Sequence, residues 1–401
     1  VAIYNSVMSP VFGALSDAKR PGQLGKRKPF LLAGLPFMVI GLIMLWSPPA
    51  LCASANCTDS GIIAYLWIAL IIHFTGYACV RNPYTSMIHE QSTDEVNRIK
   101  ISSMQGVFSI ISAVVAIILP ILLFSHLVDP QQIIKTPVDR QFLLSALPLF
   151  GIVFGCLALG FTIVAFLSVD ESFLVSASRE SEGKSVATQV RIVFRDLWTP
   201  FKDGENLKWL GSDLCLNTSM RIVLKILQPV LIYVLLLKQS EFTIFLVVLV
   251  PFVCAGFVIW QRRAKLGLKI AYVQSILLVA AGAFASILLV LVPGKFVRLA
   301  FAVAVIGFII FNLVTGYILP NPITAKLVDD ARERGGKNLT GSYFGAYLFV
   351  GNMASALGDV ILGIMLAGSN SENPVSISML LPVAASLLLA AALVFRWSKM
   401  K

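Results

Sequence analysis

Charge is scarce in this 401-residue chain: Asp, Glu, Lys and Arg make up 13% of it, while 57% is hydrophobic. An ordinary soluble domain is about 25% charged and about 45–50% apolar. A soluble enzyme is therefore excluded, and a polytopic membrane protein remains. Cysteine is also sparse, at six residues, and none stands in a Cys-x-x-Cys or Cys/His spacing that would hold a metal. Four cysteines lie in apolar segments, as small packing residues. Cys52 and Cys57 share one loop and can pair if it faces an oxidising side. Neither a G-x-S-x-G elbow nor a Walker loop occurs. Catalysis and nucleotide hydrolysis have no support, and no cofactor is implied.

What the chain does have is apolar runs. Runs of the roughly 20 residues needed to span a bilayer fall at 1–17, 30–48, 62–88, 101–125, 142–168, 207–236, 241–260, 268–292, 297–325, 339–367 and 375–396. One set of alternating loops carries 24 of the 32 Lys and Arg residues and the other set 5; Arg81, Arg221 and Lys225 lie inside segments. This bias places the richer loops and the C-terminus in the cytoplasm of a cell-membrane protein. It also accounts for the formal charge of +11 without a nucleic-acid partner. One long connection, 169–206, divides the chain into bundles at 1–168 and 207–401. Its "VATQVRIVFRDLW" stretch puts Val186, Val190, Phe194 and Trp198 at helical spacing, which predicts either an amphipathic surface helix or a plain linker helix. Asn56-Cys57-Thr58 is a glycosylation sequon.

Two of these runs resemble each other. "TGYACVRNPYT" (Thr75–Thr85) and "TGYILPNPIT" (Thr315–Thr324) share Thr-Gly-Tyr, a short gap and Asn-Pro-x-Thr. Each leads into an acidic, then basic loop, "IHEQSTDEVNRIK" or "KLVDDARERGGKN". Internal duplication is a mark of secondary transporters. The third run pairs with the ninth, an offset of six, so the expected parent design is six plus six helices, with one helix before the first run. Matched Asn-Pro kinks suit bending helices around a central site, or serve packing alone.

The first expected cytoplasmic loop reads "PVFGALSDAKRPGQLGKRKPF". Gly13 permits close helix approach, Asp17 ends a helix, and Lys26, Arg27 and Lys28 follow a turn at Gly25. A carboxylate beside a basic cluster can latch two bundles in one conformation and release them in another. This loop resembles the G-x-x-x-D-x-x-G-R-R signature of the major facilitator superfamily. It is most similar to the melibiose-permease branch of glycoside–pentoside–hexuronide:cation symporters and to the sucrose transporters. "LPNPITAKLVDDARERGGKNLTGSYFGAYLFVGN" is similar to that branch's late loop, and the resemblance spans the chain. It implies an all-α membrane fold of two six-helix bundles and transport by alternating access. The chain departs from the branch where two helix-two aspartates would hold a cation, having Asn5 and Ser9 before Pro10. It also has Arg81 in place of an Asp before the helix-four Pro, Gln105 in place of an Arg, and Asn352 in place of a late Lys. On this alignment the branch's sodium site is absent.

Charge inside a membrane segment marks a functional site by default. Arg81 shares a helical stripe with Tyr77 and Tyr84, as a solute ligand or as half of a structural ion pair. Asp213, Asn217, Arg221 and Lys225 recur every four residues, a polar stripe expected to face a cavity. Asn352, Ser355 and Asp359 share another face. Asp213, Asp359 and His73 are proton-coupling candidates, with Asp359 alternatively the partner of Arg221. The expected function is secondary active transport of a small polar solute, first a sugar or glycoside, coupled to protons. The alternatives are an anionic solute such as a hexuronate, a non-transporting receptor, or a lipid-moving relative. The expected partners are the solute, membrane lipids and a coupling proton, with the chain a monomer.

Overall fold

The computed structural model describes residues 2–19, 22, 24–47, 59–92, 94–124, 137–169, 198–230, 234–235, 239–334, 339–367 and 374–399. Cys52, Cys57, the sequon and all but the last residue of the expected surface helix lie outside these. Among the described residues regular structure is helical, apart from one bridge between Gly22 and Gly25. Helices satisfy backbone hydrogen bonds within themselves, which an apolar surround demands.

The chain folds into two compact units, one of Ile3–Met87 with Phe108–Arg195, the other of Ile88–Val107 with Asp196–Lys401. The first holds α1 (Ala2–Ala18), α2 (Lys28–Trp46), most of α3 (Asp59–Gln91), the second half of α4 (Glu95–Phe124) and α5 (Pro137–Ser168). The second holds the start of α4 and α6 (Gly204–Pro229), α7 (Gln239–Ala264), α8 (Leu268–Ala285), α9 (Lys295–Leu313), α10 (Thr315–Ile318), α11 (Pro320–Glu333), α12 (Thr340–Ala367) and α13 (Pro374–Arg396). Among the described residues, seven helical stretches are long and apolar enough to span a membrane, and Leu380–Arg396 is a shorter apolar helix.

Two expected loops are largely helix. α3 continues to Gln91 and α4 begins at Glu95, while α11 runs on to Glu333. The run Lys295–Glu333 has 39 residues, interrupted at Val314 and Leu319; as a straight helix it would measure about 58 Å at 1.5 Å per residue. Charged ends that project beyond an apolar layer of about 30 Å need not unwind. Asp94 favours the restart of α4, its carboxylate accepting from the backbone N–H of Val96 (3.2 Å) and Asn97 (3.3 Å).

In the first unit, α2 and α3 approach through glycines. A Cβ on Gly41 would stand 2.4 Å from the backbone N of His73, and one on Gly76 2.2 Å from that of Met38. Such close approach gains dispersion energy where lipid offers no hydrophobic driving force. Trp46 stacks on Phe150 at 5.8 Å, joining α2 to α5.

The second unit centres on three aromatic rings at mutual distances of 4.9–5.3 Å: Trp209 of α6, Tyr272 of α8 and Phe395 of α13. Their polar atoms are satisfied. Trp209 donates to Thr324 Oγ1 (3.1 Å), and the Tyr272 hydroxyl pairs with Ser212 Oγ (3.0 Å). The start of α6 is tied down twice. Asp203 caps it and accepts two bonds from Arg334 (3.2 and 2.8 Å) and one from Tyr343 (2.9 Å). Burial alone would raise the Asp203 carboxyl, but these donors hold it below its usual range. Glu205 accepts from Lys208 Nζ, Ser398 Oγ and the Lys399 backbone N–H, fastening the C-terminal segment to α6.

Asp203→Ala removes the cap, worth about 1 kcal/mol, together with its charge-assisted bonds. It is expected to lower the thermal midpoint, while the surface change Lys265→Ala does not; a melting curve checks this. For Glu205, burial opposes ionisation, yet the three donors bring its pKa from 4.5 down to about 2. A depressed carboxyl stabilises above the unfolded pKa, so the anchor is complete at neutral pH. It is lost as pH falls from 4.5 towards 2. Glu205→Gln should speed hydrogen exchange at the Lys399 amide at pH 7 and flatten this acid dependence.

Candidate functional site

In the first unit the candidate residues gather on α1 and α3. Tyr4 of α1 bonds Thr75 of α3, oxygen to oxygen, at 2.7 Å. One residue on, Asn5 is buried, and its side-chain oxygen accepts no hydrogen bond. Ser9, one turn later, donates to the Asn5 carbonyl at 2.9 Å. The stripe expected on α3 is present. His73 stacks on Tyr77 at 6.3 Å, and the Arg81 guanidinium lies over the Tyr77 ring at 5.4 Å. Arg81 is half-buried and has no carboxylate partner among the described residues. His73 Nδ1 is 3.0 Å from the Met38 carbonyl, a bond that ties α3 to α2. Tyr84 points outward, at 36% exposure.

Ends of α1 and α2 in the same unit carry the loop signature. Gly25 takes a positive φ of 79°, closing a tight turn against Gly22. This turn returns Arg27 to the end of α1. Arg27 is fully buried and donates to Asp17 (3.0 Å) and to Ser16 Oγ (2.7 Å), whose own hydroxyl donates to the Gly13 carbonyl (2.7 Å). Of the basic triplet, Lys26 is half-buried and Lys28 sits over the Phe166 ring at 5.1 Å. The described partners of this ion pair are thus the ends of two adjacent helices of one unit.

In the second unit the four-residue stripe of α6 splits in two. Arg221 and Lys225 both reach Asp359 Oδ1 of α12, at 3.2 and 2.8 Å. A Cβ on Gly358 would stand 2.9 Å from the Arg221 Cβ, so glycine there lets the helices close up. Asp213 and Asn217 lie apart from this cluster. Asp213 is fully buried, and Asn217 donates to its backbone carbonyl at 3.1 Å. Asn352 lies beside Gly351, half-buried. An apolar cavity lined by Val223, Ile226, Val230, Leu289, Ile306 and Leu381 has one polar side chain in its wall, Ser286, whose hydroxyl is committed to the Ala283 carbonyl at 2.6 Å.

Sequence reasoning missed several residues. Asn321, of the second Asn-Pro motif, donates to Gln105 Oε1 at 3.2 Å. Arg98 pairs with Asp329, and Glu95 with Lys326 at 3.1 Å. The signal for these pairs was present in the complementary charges of the two duplicated loops. Asn82, of the first motif, is fully buried with both amide atoms unpartnered, for which no sequence signal existed. The two motifs are also not matched kinks. α3 is one helix through Pro83, whereas the other copy is broken at Val314 and Leu319. The second copy has Pro320 as well as Pro322, and each proline removes a backbone donor.

Residues 1–396 match the family model described as "MFS/sugar transport protein". The chain belongs to this family. Its members are transporters and not enzymes, and the fold is that of the major facilitator superfamily. The E. coli fucose:proton symporter FucP is similar in fold, with a TM-score of 0.64 at 11% identity, over 100% of this chain and 90% of that one. The proton:xylose symporter XylE gives 0.67 at 15%, over 99% and 85%. The human organic anion transporter MFSD10 gives 0.58 at 12%, over 98% and 81%. An uncharacterized symporter of Synechocystis sp., sll1374, is 29% identical over 132 residues, which is 32% of this chain and 24% of that protein. The match thus spans about a quarter of that relative's length.

A buried ion pair in this sugar-transport-family chain makes a sharp stability prediction. Removing one partner of a buried pair typically costs about 3–5 kcal/mol, whereas removing both costs far less. Asp17→Asn and Arg27→Gln should each lower the thermal midpoint more than the double variant does. Additive losses in a double-mutant cycle would show that the pair is uncoupled.

Proposed function

We propose that the protein is a secondary active transporter that moves a sugar or glycoside across a cell membrane by alternating access, coupled to protons. The observation that carries this reading is Arg81 stacked on Tyr77 without a carboxylate partner among the described residues. A guanidinium inside a membrane helix is costly, and its planar fork of donors suits the hydroxyls of a sugar. The Tyr77 ring offers an apolar face beside it, with Tyr84 three residues beyond Arg81 along α3. The Asn5 side-chain oxygen, buried and unpartnered, supplies an acceptor on the neighbouring helix, with Ser9 one turn away. In the second unit Gln105, Asn217, Arg221 and Asn352 supply further polar groups. Membership of the sugar transport family supports the substrate class.

A second reading, an anionic solute such as a hexuronate, is favoured by the Arg221–Lys225–Asp359 cluster, which has two cations for one carboxylate. The Asp17–Arg27 pair, with Gly13, Lys26 and Lys28 around it, is assigned to control of the conformational equilibrium.

Uptake of radiolabelled sugars and sugar acids into proteoliposomes, under imposed proton or sodium gradients, tests these assignments. A neutral sugar driven by protons fits the first reading and an acid the second; no uptake of either would sink both. Arg81→Ala is expected to weaken solute binding about 10- to 100-fold, the equivalent of one charge-assisted hydrogen bond, with the thermal midpoint kept. Arg81→Lys should not restore it. Sodium should be dispensable, because Asn5 and Ser9 offer neutral oxygens where a hard cation prefers carboxylates. Asp17→Asn should slow turnover more than it weakens equilibrium binding of the solute.

A further inference from the structure

Asp213 is the most isolated charge-bearing group of the described chain. Its side chain is fully buried on α6, and neither carboxylate oxygen has a hydrogen-bond partner. Other buried carboxylates are treated differently. Asp17 has Arg27, and Asp203 has Arg334 and Tyr343. Asp359 is engaged by two cations, and the third coupling candidate, His73, has its Nδ1 occupied by the Met38 carbonyl. Asn217, the nearest polar neighbour, donates to the backbone carbonyl of Asp213 and offers the carboxyl a neutral amide, with no charge to compensate its own.

The groups packed around Asp213 offer it no positive charge. On its own helix are Trp209, Ser212 and Cys215; Ser212 is committed to Tyr272 and to the Ala391 carbonyl. Tyr272 of α8 is the titratable group that bears on it from a neighbouring helix, and Tyr347 of α12 bears in turn on Tyr272. α13 brings the Ala391 carbonyl to Ser212 and the Phe395 ring to Trp209 and Tyr272. Among the described residues no Lys, Arg or His bears on the carboxyl. On α12 the facing position is Gly351, where even an added Cβ would stand 3.9 Å from Asp213 Oδ2. Gly351 is itself partly exposed, and the same Cβ would stand 3.9 Å from Asn217 Nδ2 as well.

An ionised carboxylate in such surroundings costs several kcal/mol unless a cation compensates it. We propose that Asp213 is held as the neutral acid in this conformation and is the group that carries the coupled proton, exchanging it past Gly351. The inference rests on the proton coupling proposed above and assigns its site. Loading adds one proton from water to a carboxylate oxygen, and release returns it to water when a change of conformation brings solvent or a cation to Asp213. No other bond is made or broken. Asp359 is then a fixed counter-charge for Arg221 and Lys225, and His73 is a helix tie.

Infrared difference spectroscopy on the reconstituted full chain reads a protonated carboxyl directly, through its C=O stretch. The expected result is a band at neutral pH that shifts in D2O, is absent in Asp213→Asn and moves in frequency in Asp213→Glu. In proteoliposomes Asp213→Asn should lose concentrative, gradient-driven uptake while solute counterflow persists at a reduced rate. Wild-type and Asp213→Asn spectra without a difference in this region would overturn the assignment. So would concentrative uptake by Asp213→Asn equal to that of the wild type. Should Asp213→Asn not fold, the wild-type band and its shift in Asp213→Glu decide alone. A protonated band without proton-driven uptake in the wild type would instead refute the coupling reading, and with it the carrier role.

Discussion

Polar side chains in this molecule are few, and each needs a partner, either a carbonyl one turn back on its own helix, as for Ser9 and Ser103, or a group on a neighbouring one. The backbone satisfies itself by coiling; the bonds between helices are made by side chains. The packing of both units follows from how that requirement is met. Arg27 returns through a glycine turn to reach Asp17. Tyr272 closes on Ser212, which closes on the Ala391 carbonyl, and so three helices share one polar chain inside an apolar core. Trp209 reaches Thr324 in the same way and draws α11 to α6. These bonds are individually modest, about 1 kcal/mol net. Leaving them unmade would cost more than they contribute, and that asymmetry orients the helices.

Groups that escape the requirement are therefore informative. Asp213, Asn82 and the Asn5 oxygen are buried and unpartnered, while Arg81 rests only on an aromatic face among the described residues. Asn82 and Arg81 sit on α3, which carries the duplicated motif, Asp213 on α6, which carries the four-residue stripe, and Asn5 on α1, which Tyr4 bonds to α3. Where partners are absent, strain is retained that packing alone would have removed. Such positions are where a solute or a proton gains most by binding, because it supplies what the protein withholds.

The duplication was legible as sequence similarity, yet its two copies are used differently. Asn82 lies silent inside a continuous α3, and Asn321 reaches Gln105 from a helix broken twice. An extra proline explains the break. The flanking charges were legible as acidic-then-basic strings, but they are helix ends rather than loops. They engage crosswise, Arg98 with Asp329 and Glu95 with Lys326. The stripe of α6 was read as one polar face. The structure divides it, because Asp359 stands within reach of Arg221 and Lys225 and not of Asp213.

Hydropathy, the repeat and the signature loop by themselves determined an all-helical membrane fold, the transporter family and the short set of polar residues to be explained. These are properties of local composition and periodicity, which the chain carries whatever its neighbours. Only the tertiary structure decided which charge is paired and which is stranded. Partnership depends on distances between residues such as 17 and 27, or 221 and 359, set by the turn at Gly25 and by how closely α6 and α12 approach at Gly358. A one-dimensional pattern shows that a carboxylate lies within a membrane segment. Whether a cation stands 3 Å from it or none does is a fact of packing.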